Sequence, residues 1–203
     1  MTVTAVDRSS RSVTATARRS QIVASTIEVI ADLGYGQTSF ARIAERAGLS
    51  STRLISYHFE GKDELIAAVA ADVLASIGQY MSQRVGAATS AAGRLRAYIE
   101  GMAEFTATHP GKMKALLGIF MGGARHHDGA QDRRVVGHVE AILRQGQAAG
   151  EFRSFDPLVV GTVVQRAVEG LPFLLESVPD LDCAAYAREL VELFELGTRR
   201  TPA

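Results

Sequence analysis

Apolar residues along this chain recur almost everywhere at helical spacing. Between Ala17 and Leu33, the positions Ile22, Val23, Thr26, Ile27, Ile30 and Leu33 fall at three- and four-residue steps, one face of a helix. Gly34 stands where a helix-ending glycine belongs. Thr38 or Ser39 then offers a capping hydroxyl for a short helix over Phe40–Ala47, and Gly48 ends it. Ser50 or Ser51 opens a third helix reaching His58, and Glu60-Gly61 precedes a long one from Lys62 towards Arg84. Further helices are predicted over Ala92–Thr108, Gly111–Gly122, Asp132–Ala149, Pro157–Ser177 and Asp182–Thr198, with Pro172 kinking or splitting its own helix. Sustained alternation of the kind a strand needs is absent. The expected fold is all-α, with about nine helices.

The short second and third helices, joined through Gly48-Leu49-Ser50, form a helix-turn-helix. Ala44 and Leu49 are small or apolar where two helices must cross closely, and Gly48 permits the tight turn. Ile43, Leu54 and Ile55 are expected to join Ile27 and Ile30 in one small core, which presents the third helix outward to a DNA major groove.

The run TSFARIAERAGLSSTRLISYHFEGKDEL, residues 38 to 65, resembles the DNA-binding signature of the tetracycline-repressor (TetR) family. The likeness extends back through RRSQIVASTIEVIADLGYG and thins out in the rest of the chain. What the resemblance implies is a bacterial transcription regulator, most naturally a repressor, binding a palindromic double-stranded DNA operator as a homodimer and released by a small-molecule effector. It implies DNA contacts from Thr38, Ser51, Thr52, Arg53, Ser56, Tyr57, His58 and Lys62. In that scheme Thr38 caps the second helix at the DNA backbone, and Arg53 reads guanine. His58 and Lys62 hold phosphates, and Phe59 packs inside. One departure stands out: the chain is one residue longer between Gly48 and Tyr57-His58-Phe59 than the commonest pattern, and Ser56 stands where many members carry a phosphate-binding Tyr.

The expected organisation is a flexible arm at 1–16, the helix-turn-helix domain at 17–62 and a helical-bundle domain for ligand binding and dimerisation at 63–203. In the last of these, Tyr98, Met102, Phe105, Met113, Leu117, Phe120, Met121 and Ile142 are apolar candidates for a pocket wall, with Gln165, Arg166, Glu169 and His138 as polar neighbours. Met and aromatic side chains at helical spacing are more often plain core than binding site, though Met would suit a pliable pocket for a largely apolar compound. Val160, Val164, Ala167, Leu171, Leu175, Leu190 and Phe194 form apolar faces on the last helices and are the expected dimer surface.

Charge changes the picture only by its distribution. The whole chain balances 22 basic against 22 acidic residues. Residues 1–62 hold eight Arg/Lys and five Asp/Glu, leaving a basic head on an acidic body, as suits a protein with one end at phosphate. The arginines before Ser20 serve either as a phosphate or minor-groove arm or as a solvated tail. Cys183 is the single cysteine, so no disulfide framework or cysteine-zinc site is expected. With no apolar signal segment near Met1 and no uninterrupted apolar run of about 18 residues, a cytoplasmic protein without membrane partners is expected. No cofactor or metal is expected either. His126-His127-Asp128 is the one cluster hinting at a metal-dependent enzyme, but no strong ligand spacing, nucleophile elbow or phosphate loop accompanies it. The rival readings are a transcriptional activator and a helical adaptor that does not bind DNA.

Overall fold

The computed structural model describes residues 4–122 and 129–200, with side chains from 14 to 122 and from 133 to 200. His126, His127 and Asp128 lie outside the described residues. The described chain forms α1 (Thr4–Leu33), a 3-10 turn (Tyr35–Gln37), α2 (Phe40–Arg46), α3 (Arg53–His58), α4 (Lys62–Ala87), α5 (Ala91–Thr108), α6 (Pro110–Gly122), α7 (Gly129–Ala148), α8 (Pro157–Glu169), α9 (Leu171–Ser177) and α10 (Cys183–Thr198). Counting α8 and α9 as one helix broken at Gly170 gives the nine expected, and the fold is all-α. The break falls at Gly170, two residues before Pro172, because proline in the first turn of α9 is compatible with starting a helix but not with continuing one. The segment expected as a flexible arm is helical from Thr4, and neither Gly nor Pro interrupts the sequence from there to Leu33.

The described residues divide into two compact units, one drawn from Met1–Leu74 and Gly111–His126 and the other from Ala75–Pro110 and His127–Ala203. The division therefore falls inside α4 rather than at its start, and α6 groups with the N-terminal helices.

In the first unit, α1 buries Ile22, Val23, Thr26, Ile27 and Ile30 of the face predicted from periodicity, together with Val29, whereas Leu33, in its last turn, is 46% exposed. Gly34 closes the helix with φ 83°, a left-handed conformation that glycine adopts without steric cost, and its N–H donates to Ile30 O at 2.9 Å. α1 packs on α2 and α3, where Ile43, Ala44 and Ile55 are buried. Leu65, Ile66, Val69 and Val73 of α4 are fully buried.

In the second unit, α5 packs on α7, α8 and α10, and α7 on α8. Leu95, Tyr98, Ile99, Met102, Val139, Ile142, Leu143, Phe152, Val164, Val168, Val191 and Phe194 make its main cluster. Asp156 caps α8, accepting Leu158 N at 2.9 Å, and Asp182 caps α10, accepting Ala184 N and Ala185 N, both at 2.9 Å. By length and composition alone Lys62–Ala87 and Pro157–Ser177 are apolar enough to cross a membrane, and each buries part of its length in the protein, through Leu65 and Ile66 in the first and Val164 and Leu171 in the second.

Candidate nucleic-acid interface

α3 stands on a narrow base. Its buried residue is Ile55, with Phe59 buried immediately after it, while Ser51, Thr52, Arg53, Ser56 and Tyr57 face solvent. Tyr57 is 81% exposed, and its ring meets His58 edge-on at 5.1 Å. A tyrosine so bare offers an apolar ring and a hydroxyl to any partner that covers it. Gly48, at φ 63°, makes the turn that ends α2, and Leu49 N donates to Ala44 O at 2.8 Å to close it. Five of the eight residues expected at DNA are thus gathered on one exposed edge.

The other three stand differently. Thr38 is only 4% exposed and its hydroxyl donates back to Gly34 O at 3.1 Å, so it does not cap α2. Ser39 holds the extended backbone of an N-cap, and its Oγ accepts Arg42 N at 3.4 Å. The role carried over to Thr38 passes to its neighbour. Likewise α3 begins after Thr52, with Ser51 Oγ accepting Arg53 N at 3.2 Å just ahead of it. His58 and Lys62 are half-buried. The Lys62 ammonium donates to Thr38 O at 2.8 Å and lies 4.9 Å from the Tyr35 ring centre, so it is engaged within the unit. Leu54, expected in the core, is 37% exposed, because the buried line of this short helix runs through Ile55 and Phe59 at i, i+4.

Residues that sequence reasoning overlooked hold the motif together. The Arg19 guanidinium lies 4.0 Å over the Phe59 ring, donates to His58 O and pairs with Glu64 at 2.8 Å. Glu64 in turn accepts Glu60 N at 2.7 Å. That backbone hydrogen bond, then Arg19, holds the Glu64 carboxyl below the ordinary glutamate value. Gln21 donates to Ala47 O at 2.8 Å, satisfying the end of α2. Arg46 is taken up by Asp32 at 2.7 Å and Glu28 at 3.2 Å, and these carboxylates raise its pKa further. Arg18 and Arg19, grouped by sequence with an arm, are part of α1, and Arg18 pairs with Gln21 at 2.8 Å.

The effector and dimer candidates divide between the units. Tyr98, Met102, Phe105 and Ile142 are buried in the second. There the Tyr98 hydroxyl donates to Gln165, Gln165 Nε2 donates to Glu169 at 2.6 Å, and Arg166 pairs with the other Glu169 oxygen at 2.5 Å. Burial first, and then the Glu169 charge, push the Tyr98 hydroxyl far above its ordinary pKa. His138 and Arg166 are exposed. Met113 and Leu117 are buried on α6 in the first unit, but Phe120 and Met121 are exposed. The buried arc of α6 runs through Met113, Leu116 and Leu117, and the two residues at its last turn fall outside it.

Val164, Leu171 and Phe194, expected at a dimer surface, belong to the protomer's own core, and Val160, Ala167, Leu175 and Leu190 pack at its edges. What α8 and α10 turn outward is instead Val159 and Val163, and Leu193 and Leu196. Apolar residues ring much of α8, so its period does not say which side faces α5 and α7. Among the described residues no three His, Cys, Asp or Glu side chains are grouped as a metal site.

An exposed recognition helix on a helix-turn-helix core, at the head of an all-helical chain, defines a DNA-binding regulator. The comparisons agree with that class. The family model for "Bacterial regulatory proteins, tetR family" matches residues 22–69. The HTH-type transcriptional regulator BetI of Cronobacter sakazakii is 30% identical over 176 residues, covering 81% of this chain and 86% of that protein. Among solved structures, a TetR-family regulator from Rhodococcus sp. superposes with a TM-score of 0.74 at 23% identity, covering 88% of this chain and 98% of that one. AibR in complex with isovaleryl coenzyme A and operator DNA gives 0.73 at 21%, covering 87% and 97%. The chain belongs to the tetR family of bacterial regulatory proteins and is a transcriptional regulator, not an enzyme.

Proposed function

We propose that this regulator is a cytoplasmic, ligand-controlled repressor that binds a palindromic operator as a dimer. The observation that carries the reading is the exposed edge of Ser51, Thr52, Arg53, Ser56 and Tyr57, supported from beneath by Ile55 and Phe59. Arg53 is the base reader, its guanidinium forked to match guanine O6 and N7. Ser51, Thr52, Ser56, Tyr57 and His58 fix the helix on phosphate and sugar. Residues 17–62 carry the DNA contacts, and 63–203 carry effector binding and pairing.

Pairing uses the outward stripes of Val159 and Val163 on α8 and Leu193 and Leu196 on α10, apolar area that water disfavours and a second copy can cover. A two-fold dimer sets its recognition helices about 34–36 Å apart, one helical turn of DNA. The effector is a small, largely apolar molecule, met by Met102, Phe105 and Ile142 and oriented by the Tyr98–Gln165–Glu169 chain. AibR, a structural neighbour, was solved with both an acyl coenzyme A and operator DNA, which supports the same pairing of activities here. Effector binding lowers operator affinity by its preference for the state that does not fit DNA, about 1.4 kcal/mol for each tenfold loss.

The test is fluorescence anisotropy of the protein on DNA from upstream of its own gene, beside random DNA, across a salt series. Wild type is expected to prefer one sequence and to weaken steeply with salt. Arg53→Ala loses about 1–3 kcal/mol of discrimination while keeping non-specific binding. Equal affinity for every sequence, with and without Arg53, would overturn the reading.

A further inference from the structure

One aromatic ring in the first unit has a role that the helix-turn-helix motif does not explain. Tyr35, on the 3-10 turn between α1 and α2, lies against the glycines of α6. A Cβ at Gly122 would come within 3 Å of Tyr35 Cδ1 and Cγ and 3.1 Å of Cε1. A Cβ at Gly118 would meet Ile30 Cγ2 at 3.3 Å and Tyr35 Cβ at 3.7 Å. The glycines thus let the α6 backbone approach the ring more closely than any side chain would permit. The same ring lies 4.9 Å from the Lys62 ammonium. Lys62 opens α4 and donates to Thr38 O at 2.8 Å, one residue before the Ser39 cap of α2. One ring therefore connects α6 to the starts of both α2 and α4.

We propose that Tyr35 is a positioning residue for DNA binding, which, wedged between Gly122 and Lys62, makes α6 a structural part of the head and ties the placement of α2 and α4 to the register of α6. The proposal rests on the reading that α2 and α3 bind DNA. Lys62 then acts on affinity chiefly by holding Thr38, not by meeting phosphate. Ring and cation are both needed: the ring fixes the ammonium, and the ammonium fixes the carbonyl from which α2 departs.

The experiment uses the full chain and a DNA fragment recovered with wild-type protein by genome-wide selection. Tyr35→Ala is expected to weaken binding about tenfold, in the range of coupling between contacting groups. Tyr35→Phe keeps the ring and is expected to bind like wild type. Because no phosphate contact is lost, the slope of log affinity against log salt stays unchanged, whereas losing one such contact would lower it by about 0.9. Gly122→Ala should weaken binding in the wild-type background and have no further effect beside Tyr35→Ala, where the space is open. Helical circular dichroism checks that each variant is folded, and the Tyr35 pair carries the test should Gly122→Ala fail that check.

Wild-type affinity in Tyr35→Ala would overturn the proposal, as would a salt slope reduced by one contact or a Gly122→Ala cost undiminished beside Tyr35→Ala. Failure of the wild type to select any DNA would instead remove the DNA-binding reading itself.

Discussion

Gly146→Ala adds one methyl group to α7 at a place with no room for it. The new Cβ would lie within 3 Å of two Phe152 ring carbons, Cδ2 and Cε2, and 2.9 Å from Ala91 Cβ on another side. Phe152 cannot easily withdraw. Its N–H donates to Gly146 O at 3.2 Å, and the next residue, Arg153, donates to Thr198 O at 2.9 Å. On the other flank, Glu151 is held by the N–H groups of Ala91 and Ala92, both at 3.0 Å. Overpacking of this kind costs about 1–3 kcal/mol, and expelling the ring would forfeit about 1.5–3 kcal/mol of burial. Replacing a helical glycine by alanine returns up to about 1 kcal/mol. The net loss is up to about 2 kcal/mol, which lowers the melting temperature of a chain this size by up to roughly 8 °C.

Gly137, on the same helix, is the internal control. A Cβ there meets nothing within 4 Å, so Gly137→Ala gains the helical term alone and melts about 2–4 °C higher. Thermal and urea melts followed by helical circular dichroism measure both. A Gly146→Ala variant that melts at or above wild type would refute the steric reasoning, because the same substitution must change sign between two positions of one helix.

Other expectations concern charge, burial and assembly. The Glu151 carboxyl is held below the ordinary glutamate value by the Ala92 and Ala91 N–H groups, so its contribution is complete above about pH 5 and lost as pH falls through the depressed value. Wild type and Glu151→Gln should therefore differ in urea stability at neutral pH and converge in acid; a constant gap would speak against the cap. Tyr98 is held protonated by burial, so its stabilising contribution is present below pH 10 and declines as pH rises above it. A phenolate titration of the native chain should fall short of its five tyrosines until the helical signal collapses, and Tyr98→Phe should shrink that deficit, leaving the smaller part that burial of Tyr80 contributes. Val163→Asp, at a position 53% exposed, should leave the melt close to wild type yet shift sedimentation from dimer to monomer, whereas an unchanged dimer would place pairing elsewhere.

Helix boundaries were legible in the sequence because they are written in local chemistry: Gly34 and Gly48 at left-handed turns, Asp156 and Asp182 as caps, Pro157 in a first turn. Periodicity found the inner face of α1 for the same reason, since its outer face is polar. It could not choose a side for α8, where Val159 and Val163 alternate with Val160 and Val164 and only packing against α5 and α7 decides which pair is buried. The exposed edge of α3 was readable through its family likeness. The braces behind it were not: Arg19 reaches His58 and Glu64, and Gln21 reaches Ala47, across 26 to 45 residues, and no local signal marks such a pair. Thr38 and Ser39 show the limit of a motif, since both carry a hydroxyl and the backbone angles decide which one caps.

The single inward-facing side chain of α3 bears on how this protein can change over generations. Ile55 anchors the helix, while Arg53, Ser56 and Tyr57 beside it are exposed. If the proposed DNA contacts hold, substitutions at 53, 56 and 57 would change the recognised sequence while leaving the Ile55 and Phe59 anchors in place, so a lineage could alter its operator without first surviving a misfolded intermediate. On that reading, a duplicated copy of this gene would need few steps to acquire a new set of promoters.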